Sequence, residues 1–273
     1  VLRELTNRIT AAKVADLPRG GLASSPLVQR LVFLFVLLVI WQLIANAKLY
    51  PSYLLPGPEE VLKTFVWGFS EADFLMVIFE SLRRVIVGYI AAVIIGTLAG
   101  LAVARYSWLD NTIGASLTAL QAIPSVAWVP LALLWFGISE AAVLFIVILE
   151  AFIPAALGVR SGVMNIPREI IRAAQCLGAK YLDLYVRVIF PAIIPQLVSS
   201  LRLSWAFAWR ALIAGELFVS GLGIGQQLEL GRSLADMSQV IAMILIVAVL
   251  GYISDNLFFR SLESYVRRSW GMQ

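Results

Sequence analysis

The sequence predicts an all-α polytopic membrane protein with six transmembrane helices. Three observations predict it. Several runs of membrane length carry little or no charge, the 273-residue chain is 60% hydrophobic against 14% charged, and its basic residues gather at the ends of the apolar runs. A soluble domain has about a quarter of its residues charged, so most of this chain has lipid as its solvent. Helices rather than strands follow from run length and from the need of lipid-buried backbone to satisfy its own hydrogen bonds.

A spanning helix needs about 20 apolar residues. The first runs from Leu31 to Ala47, starting near Leu27, and the second from Val85 to Ala104. The third runs from about Asn111 to Phe136, interrupted by Pro124 and Pro130. The fourth is Ala141 to Val159, with Glu150 and Pro154 inside it. The fifth runs from about Ile193 to Phe218 and carries Arg202, Arg210 and Glu216. The sixth is Val240 to Ile253, ending near Asp255. Between the first two, Pro51, Pro56 and Pro58 lead into a short amphipathic surface helix, Glu59–Gly68, with Val61, Leu62 and Phe65 on one face. The domain reading is a 1–26 N-terminal segment, one membrane domain over 27–268, and a 269–273 tail. The long, polar N-terminal lead is not expected to be a cleaved signal.

Lys and Arg set orientation. With six spans both termini share a side, and that side collects 14 of the 21 basic residues, from Arg3 through Arg30, Arg105, Arg160 to Arg187, and Arg260 to Arg268. The termini and the 160–192 loop are therefore expected in the cytoplasm. Arg83 and Arg84 are expected at the opposite interface, snorkelling or pairing with Glu80. The +4 net charge is read as membrane orientation rather than nucleic-acid binding.

The chain has no histidine and one cysteine, Cys176. His-based triads, His–metal sites, disulfides and Cys-x-x-Cys sites are excluded. No Gly-x-x-x-x-Gly-Lys-Ser/Thr loop is present, so the chain does not cradle ATP in the P-loop manner. No cofactor and no metal are expected in this chain. The GLGIG run, Gly221–Gly225, follows a span with no strand before it and reads as an outer turn.

Residues 171–195, IRAAQCLGAKYLDLYVRVIFPAIIP, form a long, half-apolar loop on the basic side. Pro167 and Arg168–Glu169 start a helix, Gly178 permits a sharp turn, and Pro191 ends or kinks the second piece. Leu177, Tyr181, Leu184 and Tyr185 are then available for burial. Such a surface either docks on a partner or rests on the bilayer as an amphipathic elbow.

This loop resembles the EAA motif of importer permeases of the ATP-binding cassette class, with Ala173, Ala174, Gly178, Val188, Phe190 and Pro191 at the motif's spacings. Arg172 stands where the motif has glutamate, which is similar to the nitrate/sulfonate/taurine/bicarbonate branch. Tyr53–Phe65, Ser81–Ala104, Ile123–Ile138 and Ala208–Leu217 resemble that branch's other segments. The resemblance implies a type I importer permease in the inner membrane of a bacterial cell. Arg172, Ala173, Ala174, Leu177, Gly178, Ala179, Tyr181, Leu184 and Pro191 would dock on an ATPase subunit that carries the ATP and Mg. It also implies a second permease copy as homodimer partner and an external solute-binding protein.

For the substrate path, Arg210 either faces the pore and meets an anion or pairs with Glu150, Glu216 or a carbonyl. Glu216 reads as structural or gate-forming. Trp205 and Trp209 share a face, more in keeping with packing than substrate contact. Gln121, Ser125 and Trp128, around the Pro124 break, are further pore-lining candidates, since a freed carbonyl is tolerated beside a cavity. Gly96 and Gly100 form a helix-packing notch within the subunit. Family resemblance favours a small oxyanion, with a neutral vitamin precursor as the alternative in the same class. An ion-coupled secondary transporter using Glu150, Arg210 and Glu216 leaves the loop unexplained. A membrane enzyme lacks a catalytic constellation.

Overall fold

A computed structural model of the chain describes residues 25–71 and 73–269, the side chains of residues 26, 181, 182, 267 and 269 excepted. Most of the expected N-terminal segment, the last four residues of the tail and the Tyr181 side chain thus lie outside the described residues. The chain divides into two units, residues 1–60 and residues 61–273. In the first, α1 (Pro26–Asn46) starts on a Ser25 cap whose hydroxyl accepts from the Val28 N–H, and most of its apolar side chains are exposed. The Trp41 indole then donates to the Pro56 carbonyl at 3.0 Å, folding the following loop back on α1. Helix α2 (Pro58–Ser70) begins at the unit boundary, with Glu59 and Glu60 in its first turn.

Helix α3 (Phe74–Arg105) is 32 residues long, about 48 Å at 1.5 Å per residue. It begins eleven residues before the charge-free run that starts at Val85. The extra turns are possible because Arg83 and Arg84 are neutralised by acidic partners, so they do not end the helix. The expected third span is two helices, α4 (Ser107–Leu120) and α5 (Ser125–Phe136), bent by 105°. Pro124 between them is extended, at φ −61° and ψ 142°, whereas Pro130 sits at the start of a helix, where its missing N–H is harmless. Helix α6 (Glu140–Met164) follows, then α7 (Arg168–Cys176), then a short turn Tyr181–Leu184. This turn continues through a π-helical stretch, Tyr185–Ile189, into α8 (Phe190–Glu216). Helices α9 (Ile224–Ser233) and α10 (Met237–Ser254) come next, and a second π-helical stretch, Asp255–Arg260, leads into α11 (Ser261–Ser269). Among the described residues five helices are long and apolar enough to cross a membrane, six with the bent pair counted as one span.

Pro191 therefore does not end a helix. It lies in the first turn of α8, immediately after the widened Tyr185–Ile189 turn. Prolines are tolerated where the backbone ladder has already been adjusted.

Helix α6 is the most enclosed span and lies between α3 and α8. Small residues let the backbones approach. A Cβ placed on Gly100 would lie 2.5 Å from the Ala156 carbonyl oxygen and 2.8 Å from Val159 Cβ. Gly96 meets Phe152 and Ala155 in the same way, so the predicted notch is an intrasubunit contact. On the other side, the Ser204 hydroxyl donates to the Ala151 carbonyl at 2.5 Å. Val85, Val147, Ala208 and Leu212 fill the core between the three helices.

Candidate functional site

The Gly178 turn is a helix terminus built without side chains. Gly178 has φ +89°. Its N–H donates to Gln175 O, and the Ala179 N–H donates to Ala174 O, both at 3.0 Å. These are the two bonds of a Schellman cap, in which the residue after the helix takes the left-handed conformation that glycine adopts without strain. Nothing lies within 4 Å of where a Gly178 Cβ would stand. Leu177 beside it is 90% exposed, and Arg172 and Ala173 are exposed one to two turns back. Leu184 and Tyr185 differ from expectation. They are half-buried and pack on their own chain's Val159–Ile166–Ile189–Ile193 cluster, which leaves only part of each surface to a partner. The second apolar strip of the loop thus anchors it, and Leu177 is the side chain left outside.

The second constellation lies where α5 meets α6 and α8. The Ser125–Trp128 turn after the Pro124 break packs against both helices. Gln121, Ser125 and Trp128 are half-buried there. Near the middle of α6, Glu150 is 4% exposed. The Trp128 indole lies beside its carboxyl, and Arg210 acts on it through space. The Trp128 N–H nevertheless makes no hydrogen bond of normal geometry. Arg210 is exposed, and its guanidinium lies 4.7 Å from the Phe207 ring centroid. It pairs with neither Glu150 nor Glu216. Trp209, 6% exposed, has a buried N–H without a partner, while the Trp205 N–H donates to Ser254 at 2.9 Å.

Glu216 is fully enclosed and belongs to a third group. Its carboxylate accepts from Arg84 Nη1 at 2.8 Å, from the Ser81 hydroxyl at 2.9 Å and from the Gly225 N–H at 3.0 Å. Arg84 also donates to Leu222 O at 2.7 Å, and the Ile224 N–H donates to Ser81. Of the GLGIG run, Gly221–Gly223 form the turn that its position predicted, while Ile224 and Gly225 open α9, and Glu216 clamps this junction to α3 and α8. Arg84 neither snorkels nor uses Glu80. Arg83 does pair with Glu80, at 3.0 Å, and also with Glu140 at 2.7 Å.

Two more arginines of the spans hold carboxylates. Arg160 of α6 pairs with Asp110, and Arg202 of α8 holds Asp255 at 2.5 Å and Glu263 at 3.2 Å. Both aspartates open π-helical stretches. Among the described residues no group of three or more His, Cys, Asp or Glu is placed to hold a metal. Ser81 and Arg84 were not among the site residues read from the sequence, and Glu150 was read only as a partner of Arg210 or as an ion-coupling acid. A lone acid inside an otherwise uncharged span was the available signal for Glu150.

Comparisons with known proteins place these features in context. Residues 92–266 match the family model described as binding-protein-dependent transport system inner membrane component. A putative ABC transporter permease protein of Methanocaldococcus jannaschii is 32% identical, over 80% of this chain and 83% of its own. The taurine transport system permease protein of Escherichia coli is 28% identical over 84% and 85%. A putative aliphatic sulfonates transport permease protein of Bacillus subtilis is 30% identical over 84% and 82%. Among solved structures, the MetNI methionine ABC transporter in inward-facing conformations superposes with TM-score 0.59, covering 69% of this chain and 95% of that one. At 18% identity it shows the fold alone.

Proposed function

The chain belongs to the family of binding-protein-dependent transport system inner membrane components, and from that premise we propose that it is the permease subunit of an ATP-driven importer for a small oxyanion. Relatives named for taurine, aliphatic sulfonate and nitrate import support that substrate class. The Gly178 turn is the ATPase-docking element, through Arg172, Ala173, Ala174, Leu177, Gly178, Ala179 and the adjoining Tyr181. The observation that carries this reading is a capped helix end with Leu177 90% exposed and, among the described residues, nothing within 4 Å of where a Gly178 Cβ would stand. An apolar tip of that kind has a use when a partner covers it. ATP and Mg reside on that partner. Driving transport requires ATP and substrate to prefer one of two states, and the turn conveys that preference to α8.

The excess of Lys and Arg puts the Gly178 end and both termini in the cytoplasm. Arg210 supports a homodimer around a shared path, since it is exposed on α8 and a guanidinium facing lipid within a span is unfavourable. An extracytoplasmic binding protein delivers the solute at the Gly221 end.

Purification of the complete transporter tests the reading. An ATPase subunit is expected to co-purify, and Gly178→Trp is expected to leave the complex folded while ATP hydrolysis no longer drives uptake. Transport without a nucleotide-binding subunit would sink the proposal, and normal uptake by the Gly178→Trp variant would sink the docking assignment.

A further inference from the structure

The junction of α10 and α11 is tied inward by one set of side chains and leaves another outside. Phe259 is buried, its ring centroid 6.0 Å from that of Trp205 and 6.4 Å from that of Tyr89, and Val266 is buried two turns on. Arg202 of α8 holds Asp255 at 2.5 and 2.6 Å and Glu263 at 3.2 Å, so its charge is spent inside the protein. A cavity of about 540 Å³ opens beside this network, and its lining includes Arg202, Asp255, Asn256, Arg260, Glu263 and Ser264. Arg260 takes no part in the fastening. It is exposed, and among the described residues its one hydrogen bond goes to Asn256 at 3.3 Å, which leaves most of the guanidinium's N–H groups open. The lining carries two arginines and two carboxylates. Arg268, exposed one turn beyond Ser264 on the same face of α11, adds a positive charge, so these described side chains are balanced by one anion.

Depth identifies the kind of anion. About 20 residues cross the hydrocarbon of a bilayer, and that count from Met237, the first residue of α10, ends at Asn256. The cavity therefore sits at headgroup level, and Leu257 and Phe258 stand exposed next to Asn256, where the upper acyl chains lie. The excess of Lys and Arg puts this end of α10 in the cytoplasmic leaflet, whose surface is negative. A guanidinium and a phosphate match through parallel N–H···O bonds. We propose that the cavity binds the phosphodiester of an anionic phospholipid, with Arg260 as the principal donor and Asn256, Ser264 and Arg268 around it. The lipid braces the α10–α11 junction, which Arg202 ties to α8. This site is separate from the substrate path and does not depend on which solute is carried.

The test titrates the complete transporter, purified in detergent, with dioleoylphosphatidylglycerol and separately with dioleoylphosphatidylcholine, and counts bound lipid by native mass spectrometry. Wild type is expected to bind phosphatidylglycerol at least about 10-fold more tightly than phosphatidylcholine. Arg260→Gln is expected to lower phosphatidylglycerol affinity about 10-fold at unchanged Tm, since the residue is exposed. Arg260→Lys, which keeps the charge and loses the planar fork, is expected to lose less. Arg187→Gln removes the same charge from an exposed position on the Gly178 loop and is expected to leave phosphatidylglycerol affinity as it was. Equal binding of both lipids by wild type overturns the proposal, and so does full phosphatidylglycerol affinity in Arg260→Gln. Equal losses in Arg187→Gln and Arg260→Gln mean diffuse surface charge in place of a site, and the proposal falls. Displacement of phosphatidylglycerol by inorganic phosphate at a comparable concentration makes the occupant a soluble anion and overturns the lipid assignment. A loss of ATPase affinity in Arg260→Gln in lipid-free detergent gives the surface to the ATPase and overturns it as well.

Discussion

At the Gly221–Gly225 turn, four groups from the chain's own helices hold the loop: Arg84 on Leu222 O, Ser81 on the Ile224 N–H, Glu216 on the Gly225 N–H, and the Gln226 amide on Val219 O. At the Gly178 turn, the hydrogen bonds run back into α7 itself, and no other part of the chain comes within 4 Å of the glycine's outer side. Both turns are glycine-based and both join helices. One is fastened to two spans. The other is rigid in itself but unheld, and its apolar neighbour Leu177 stands in the open. A fastened turn moves with its spans, whereas an unheld rigid turn is a handle for another molecule.

The largest effect tests the fastening. Glu216→Ala leaves Arg84 buried without its carboxylate and strips partners from Ser81 and Gly225. Removing one member of a buried pair costs about 3–5 kcal/mol. The purified protein in detergent is expected to show a clearly lower Tm, and Arg84→Met added to Glu216→Ala to recover part of the loss. A wild-type Tm for Glu216→Ala would erase the distinction between the two turns.

A matched pair of smaller changes sharpens it. A Cβ on Gly225 would meet Glu216 Cβ at 2.5 Å and Ile213 O at 2.9 Å, so Gly225→Ala is expected to cost about 1–3 kcal/mol by overpacking. A Cβ on Gly178 meets nothing, and Gly178→Ala carries only the strain of its positive φ, about 1 kcal/mol. Tm should therefore fall further for Gly225→Ala. ATP-driven uptake per folded complex should fall further for Gly178→Ala. The reverse order in either measurement would contradict the comparison.

Much of this was legible in the sequence, for reasons particular residues make plain. Uncharged runs announced the spans, Pro124 announced the break, and Gly178 announced its turn, because each acts within a few residues of itself. What was not legible depends on partners far along the chain. Arg83–Arg84 looked like the end of a span because the partner that lets α3 run on past Arg84, Glu216, is 132 residues away. Pro191 looked like a terminator because the π-helical widening at Tyr185–Ile189 that accommodates it has no local sequence signal. Leu184 and Tyr185 looked exposed because their receiving cluster includes Val159 and Ile166 across the loop. In the candidate substrate site, Trp128 and Arg210 were visible as unusual residues for a span. Arg210 beside Glu150 was one of the pairings the sequence offered, but Trp128 as their neighbour was not, because three separate helical segments bring the residues together.

The smallest expected change in stability is the most direct probe of the unheld turn. Leu177 is 90% exposed and lies outside the chain's core clusters, so Leu177→Ser removes little that the permease itself uses. Its effect on Tm should stay within about 0.5 kcal/mol, as for other exposed sites away from special features. A partner that buries the leucine sees a different change, because exchanging a fully buried leucine for a hydroxyl forfeits about 1.5–3 kcal/mol of apolar transfer. At 1.4 kcal/mol per factor of ten, affinity for the ATPase subunit should fall by about 10- to 100-fold, measured by titrating the ATPase onto immobilised permease. Leu184→Ser should behave the opposite way. It opens the cluster that anchors the loop, so Tm should drop, and the ATPase should be lost only to the extent that the loop unfolds. If Leu177→Ser and Leu184→Ser weaken the ATPase equally at equal Tm, the contact surface is broader than the tip of the turn, and the handle includes the face of the Tyr181–Leu184 segment.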